Sequence, residues 1–245
     1  MEIGYQKKWS HFLNKDMEFK VYGGSGLPVL IFPTGCGRFY EFEDFGMVEA
    51  VQSFVDSGKV QLFTIDSVDC EAWMAHWMYP GERGWRHLQY ERYVMEEVVP
   101  LIREMNPYTD RLVVTGCSMG AYHAANFLFK HPDVFGTVIA LSGLYGPQYF
   151  VGDYMDDNVY YNFPLCYLPK LEEARYLELI RSCDIVACVG QGAWEEDSLR
   201  ETRALEEALH KLDVDAWVDY WGYNVSHDWP WWRKQLPYFL GELGW

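Results

Sequence analysis

A serine between two glycines, Gly116-Cys117-Ser118-Met119-Gly120, follows directly on the apolar run Leu112-Val113-Val114. G-x-S-x-G at a strand-to-helix junction holds a hydroxyl out at a strained apex, and its small flanking residues let strand and helix approach each other. Arg111 to Thr115 is short and β-branched, as a central strand should be. The following residues Ala121-Tyr122-His123-Ala124-Ala125-Asn126-Phe127-Leu128-Phe129 repeat apolar positions at helical spacing. The spacing predicts a nucleophile elbow with Ser118 at its apex, and hence acyl-transfer chemistry. The plain alternative is an ordinary strand-to-helix turn with a serine cap.

A serine hydroxyl attacks a carbonyl only when a base takes its proton, and histidine titrates in the useful range. Of the seven histidines, His227 lies immediately after the last predicted strand, in Gly222-Tyr223-Asn224-Val225-Ser226-His227-Asp228-Trp229-Pro230. It is the candidate base. The carboxylate that orients it should fall between serine and histidine in chain order. The segment Gly190-Gln191-Gly192-Ala193-Trp194-Glu195-Glu196-Asp197 supplies three acids. Glu195 ranks first because it lies earliest in the loop, with Glu196 next. Acids here also suit the first turn of the helix that follows, so the choice stays open. The turn Pro33-Thr34-Gly35-Cys36-Gly37-Arg38 follows the strand Val29 to Phe32. It is placed to give a backbone N–H from Gly35 which, with that of Met119, would hold the oxyanion of a tetrahedral intermediate.

These side chains need a scaffold that brings several strand ends together. Trp9 to Leu13 and Met17 to Tyr22 read as a hairpin around Asn14-Lys15-Asp16. Further strands are read at Val29–Phe32, Val60–Ile65, Leu112–Val114, Thr137–Leu141, Ile185–Val189 and Ala216–Tyr220. Helical stretches run over Trp85–Met105, Glu196–Leu212 and Trp231–Leu240. The alternation predicts an α/β fold, with a mostly parallel central sheet, an antiparallel N-terminal hairpin at its edge and helices on both faces. In such sheets chemistry gathers beyond the C-terminal ends of the strands. No linker, repeat or low-complexity segment divides the 245 residues, so residues 1–245 read as a single domain.

A net charge of −16 speaks against nucleic acid and anionic membrane surfaces as partners. No apolar run reaches membrane-spanning length and none near the start resembles a secretory signal, so the expected location is cytoplasmic. The cysteines Cys36, Cys70, Cys117, Cys166, Cys183 and Cys188 show no C-x-x-C pair, and the expectation is six reduced thiols. The histidines have no metal-ligand spacing, so no metal is expected. The charges of Glu91, Arg92, Glu96 and Glu97 read as the solvated face or local ion pairs of an amphipathic helix, and Asp66 and Asp69 as loop caps.

Taken together, the elbow, the acidic loop, the late histidine and three further stretches resemble the esterase family of α/β-hydrolases. That family groups esterase D (S-formylglutathione hydrolase), feruloyl esterases, enterochelin esterases and mycobacterial mycolyltransferases. The stretches are Ile31 to Glu41, His131-Pro132-Asp133-Val134-Phe135 with Ala140-Leu141-Ser142-Gly143, and His227-Asp228-Trp229-Pro230-Trp231-Trp232. The resemblance implies an α/β-hydrolase fold, Ser118 as nucleophile, His227 as general base and an oxyanion hole from the Gly35 to Gly37 turn with Met119. It implies a small-molecule ester as substrate and no cofactor. Relatives often carry a lone Asp in the acidic loop where this chain has Ala193-Trp194 and then consecutive acids. An acyltransferase, or a non-catalytic binding protein on the same fold, are the competing functions. Residues 144–170 have no clear period and form a candidate lid or pocket wall. With Trp73, Trp77, Trp194 and Trp229 they could line a site for an aromatic acyl group or a sugar, which makes a feruloyl or other carbohydrate-linked ester the substrate expectation.

Overall fold

Eight strands form one sheet in the order β1-β2-β4-β3-β5-β6-β7-β8 in a computed structural model that describes residues 1–108 and 110–245. The strands are β1 (Ile3–Ser10), β2 (Lys15–Tyr22), β3 (Leu27–Phe32), β4 (Val60–Ile65), β5 (Leu112–Cys117), β6 (Phe135–Leu141), β7 (Asp184–Val189) and β8 (Trp217–Tyr220). From β4 to β8 every pairing is parallel, whereas β1 pairs with β2, and β2 with β4, in antiparallel fashion. The predicted mostly parallel sheet with an antiparallel N-terminal hairpin is what the chain adopts.

The central strand β5 is buried along its whole length. Leu112 and Val114 face one core with Tyr90, Ile102, Ala121, Phe127 and Leu205, while Val113 and Cys117 face the other with Phe42, Val48, Trp232 and Phe239. Strict alternation thus puts apolar side chains on both faces, and helices cover both. Each fully buried Val or Leu of β5 stabilises the fold by about 1.5–3 kcal/mol, which anchors the strand that ends at Ser118.

The hairpin is displaced from its sequence reading. β1 ends at Ser10, and His11 to Asn14 form the turn, with Asn14 in the left-handed region at φ 53°. Leu13 is apolar because it is buried beneath that turn, not because it continues the strand. As an edge strand, β1 exposes Lys7, Lys8 and Trp9 in succession, so it offers little periodicity to read.

Three other expectations are corrected. Cys36 and Cys70 form a disulfide, with Cα atoms 5.2 Å apart, while Cys117, Cys166, Cys183 and Cys188 are free. The two half-cystines are 34 residues apart in sequence, and only the parallel pairing of β3 with β4 brings the turns that follow these strands together. Glu91 is buried rather than solvated, and its carboxylate bonds Lys130 and His131. Asp69 caps no loop: it is buried and holds the Nε2 of buried His123 at 2.8 Å.

Candidate active site

The chain passes from β5 into the Met119–Lys130 helix through Ser118, whose backbone stands at φ 56° and ψ −118°. A non-glycine residue there costs about 1–3 kcal/mol and must be held by its surroundings. Ser118 N–H donates to the Leu141 carbonyl at 2.8 Å, and the Ser118 carbonyl accepts from Ala121 N–H at 3.0 Å and Tyr122 N–H at 3.2 Å. The flanking glycines are required by contact. A methyl on Gly116 would enter the backbone of Gly120, and one on Gly120 would enter the Phe32 carbonyl oxygen at the end of β3. Cys117, beside the serine, is buried, and that burial pushes its thiol well above the usual range.

The acid and the histidine come from the ends of β7 and β8. Glu195 is 1% exposed, and its Oε2 lies 3.1 Å from His227 Nδ1. Its Oε1 accepts from Ser142 Oγ at 2.7 Å and from Gly190 N–H at 3.3 Å. Glu196 and Asp197 are exposed, and Asp197 pairs with Arg200. The two loops are seated on each other: His227 N–H donates to the Ala193 carbonyl at 3.0 Å and Gly192 N–H to the Val225 carbonyl at 2.8 Å. A side chain at Gly190 or Gly192 would collide with the Val225 carbonyl oxygen. Trp232 packs edge-on to the His227 ring with centroids 5.0 Å apart, and its indole N–H donates to Ser142 Oγ at 3.1 Å. Among the described residues, the acceptor for the Ser142 hydroxyl proton is Glu195.

The Thr34 to Gly37 turn is fixed from below. Glu41 accepts from Thr34 N–H at 2.8 Å and Thr34 Oγ1 at 2.7 Å, and burial raises its carboxyl against those bonds. Gly37 N–H is committed to the Thr34 carbonyl at 2.8 Å. Among the described residues, the N–H groups of Gly35 and Met119 have no protein acceptor. Asp66 holds the far side of the turn through Arg38 Nε at 2.6 Å and Phe39 N–H at 3.0 Å.

Ser118, Met119, Gly35 and His227 line one cleft of about 320 Å³, with Met74, Leu144, Tyr149, Phe150 and Trp194 as its apolar wall and Asp197 and Ser198 at its edge. Of the tryptophans named from sequence, only Trp194 lies on this cleft. Trp73 is fully buried with its indole N–H on Tyr122 Oη, Trp77 is exposed elsewhere, and Trp229 stacks on Phe45. His123 is sealed beneath the elbow with Asp69 and does not reach the cleft. The 144–170 segment gives Leu144, Tyr149 and Phe150 to the wall, and Phe150, Val159 and Phe163 root it in a small core with Trp73 and Tyr122. Among the described residues no group of three or more His, Cys, Asp or Glu side chains is arranged to hold a metal ion, and no helix is long and apolar enough to cross a membrane.

Sequence reasoning passed over Ser142 and Glu41. Both lie in stretches that carry the family resemblance, but a serine after β6 and a glutamate six residues after Gly35 gain meaning only from the partners the fold gives them.

A serine on a strand-to-helix elbow at the end of the central strand, in a mostly parallel sheet covered by helices, defines an α/β-hydrolase. More narrowly, the family model described as "Putative esterase" matches residues 10–243, and the chain belongs to that family. It is a carboxylic-ester hydrolase. Solved structures of similar fold include a ferulic acid esterase, with 17% identity and a TM-score of 0.77 over 99% of this chain and 97% of that chain. An S-formylglutathione hydrolase from Agrobacterium tumefaciens aligns with 17% identity and a TM-score of 0.75 over 98% of this chain and 93% of that one. The enterobactin esterase FES from Shigella flexneri aligns with 19% identity and a TM-score of 0.60 over 99% of this chain and 59% of its own. No curated protein matches the sequence.

Proposed function

We propose that the chain hydrolyses carboxylic esters through a Ser118, His227 and Glu195 triad and a covalent acyl-enzyme. Ser118 Oγ attacks the ester carbonyl while His227 Nε2 takes its proton. The N–H groups of Gly35 and Met119 hold the oxyanion, and collapse of the tetrahedral intermediate breaks the C–O bond to the alcohol, which leaves with the proton from His227. Water then attacks the acyl-enzyme with His227 again as base, releasing the acid and restoring Ser118. Glu195 keeps the proton of neutral His227 on Nδ1 and stabilises the imidazolium. The observation that carries this reading is the hydrogen-bonded order Ser142 to Glu195 to His227 at the rim of the cleft that Ser118 lines.

The substrate we infer is a hydroxycinnamoyl or related ester linked to a carbohydrate. Support comes from the apolar wall of Met74, Leu144, Tyr149 and Phe150, and from the similarity in fold to a ferulic acid esterase. Rates on methyl ferulate, feruloylated arabinose and 4-nitrophenyl acetate, each with wild type and Ser118→Ala, test both parts. Turnover of all three by Ser118→Ala at a tenth of the wild-type rate would remove the triad. Wild-type activity on the acetate with none on either feruloyl ester would remove the substrate class alone.

A further inference from the structure

Trp194 is out of place by every structural measure. It sits at φ 69°, in the left-handed region that bulky residues rarely adopt, and its side chain is 83% exposed, so no packing in the folded chain repays that backbone. Its position is nevertheless tightly fixed. Glu195 N–H donates to the Gly192 carbonyl at 3.3 Å, and the preceding carbonyl, that of Ala193, accepts from His227 N–H. The backbone that carries the indole is thus fixed beside the cleft, one residue from the carboxylate that orients His227.

We propose that Trp194 is a specificity-determining residue for the leaving alcohol, presenting a flat apolar platform to a neutral alcohol that has a flat apolar face of its own, an aryl ring or the C–H face of a pyranose. The inference rests on the acyl-enzyme reading above and adds a side to it. In that chemistry the alcohol oxygen must take its proton from His227, so the alcohol lies on the His227 side of the cleft, where Trp194 is. The acyl group is assigned to the opposite side, where Met119 packs with Met74, Leu144 and Phe150. Tyr149, also more than half exposed, lines the same cleft and is braced edge-on by His76. An exposed indole is costly in water and attracts flat apolar faces. The neighbouring Glu196 and Asp197 carboxylates favour a neutral alcohol over an anionic one.

The division between acyl and alcohol sides supplies the test. Ethyl acetate, 2-naphthyl acetate and glucose 6-acetate give the same acetyl-enzyme and differ only in the alcohol. In Trp194→Ala the kcat/KM ratio of 2-naphthyl or glucose ester to ethyl ester should fall about tenfold, and Trp194→Tyr should restore most of it. The turnover of the common acetyl-enzyme, read from kcat where its hydrolysis limits the rate, should not change, because the alcohol has already left. A larger fall on the glucose ester identifies a pyranose, and a larger fall on the naphthyl ester an aryl alcohol. Trp194→Gly should melt no lower than wild type. Equal losses on all three esters, a slowed acetyl-enzyme step or a marked fall in melting temperature would each overturn the role. Wild-type protein whose Ser118 takes up no fluorophosphonate would instead remove the acyl-enzyme reading beneath it.

Discussion

Replacing Glu195 by glutamine should preserve the fold and nearly abolish activity, because the amide can keep every hydrogen bond of the carboxylate only by reversing one of them. Oε1 of Glu195 faces two donors, Ser142 Oγ and Gly190 N–H. Gly190 N–H can only donate, and among the described residues Glu195 is the acceptor for the proton of Ser142, whose oxygen in turn accepts from the Trp232 indole. The amide oxygen of the introduced glutamine must therefore occupy this side, which leaves its NH₂ facing His227 Nδ1 where Oε2 stood. His227 then accepts at Nδ1 and carries its proton on Nε2, the tautomer that cannot take a proton from Ser118. A trapped tautomer together with an unsupported imidazolium costs a triad about 10³ to 10⁴ in kcat, or roughly 4–5.5 kcal/mol. The assay is kcat/KM on 4-nitrophenyl acetate with the melting temperature measured alongside. Glu196→Gln and Asp197→Asn should stay close to wild type in activity and shift stability by only about 0.3–1 kcal/mol through the helix dipole. Glu195→Gln within tenfold of wild type, or a comparable loss at either neighbour, would refute the argument.

Ser118→Ala and His227→Ala should each lower kcat by about 10³ or more, and in the proposed triad the double variant should cost little beyond either one; steady-state kinetics on one ester checks both. Ser142→Ala should reduce kcat through a loosened Glu195 while fluorophosphonate still reaches Ser118, and a kcat equal to wild type would deny Ser142 its positioning role. Gly120→Ala should destabilise by about 3 kcal/mol or fail to fold, since the new methyl meets the Phe32 carbonyl; a urea melt matching wild type would contradict the packing. Burial raises the Glu91 carboxyl, but the hydrogen bond from His131 and the charge and hydrogen bond of Lys130 outweigh it and hold the carboxyl down at about 2 against an ordinary 4.5. Its folded value lies below its unfolded one, so its stabilisation, about 3 kcal/mol, is complete above pH 4.5 and drains away as pH falls toward 2. Glu91→Gln should be less stable at pH 7 and lose less on acidification over that window in urea titrations.

The parallel strands were legible because burial on both faces writes short β-branched runs into them, as in Leu112-Val113-Val114. The elbow was legible because Gly116 and Gly120 are forced by backbone contact and leave a fixed spacing. The edge strand β1 was not, since Lys7, Lys8 and Trp9 are exposed in succession and break the alternation. Buried polar partnerships were equally silent. Asp69 with His123, Glu91 with Lys130, and Cys36 with Cys70 join residues 34 to 54 positions apart, and nothing local marks either member. The acidic loop shows the same limit on a small scale. Glu195, Glu196 and Asp197 are three adjacent acids in sequence, and what separates them is which one the chain turns inward, a consequence of the loop's seat on Val225.

Peptide mass spectrometry of the wild-type chain after treatment with a fluorophosphonate reads out which residue is the nucleophile. A single phosphonyl adduct on Ser118 should form in step with loss of esterase activity, form far more slowly in His227→Ala and be absent in Ser118→Ala. An active enzyme that takes no adduct, or one that loses activity with the adduct on another residue, would contradict the role of Ser118.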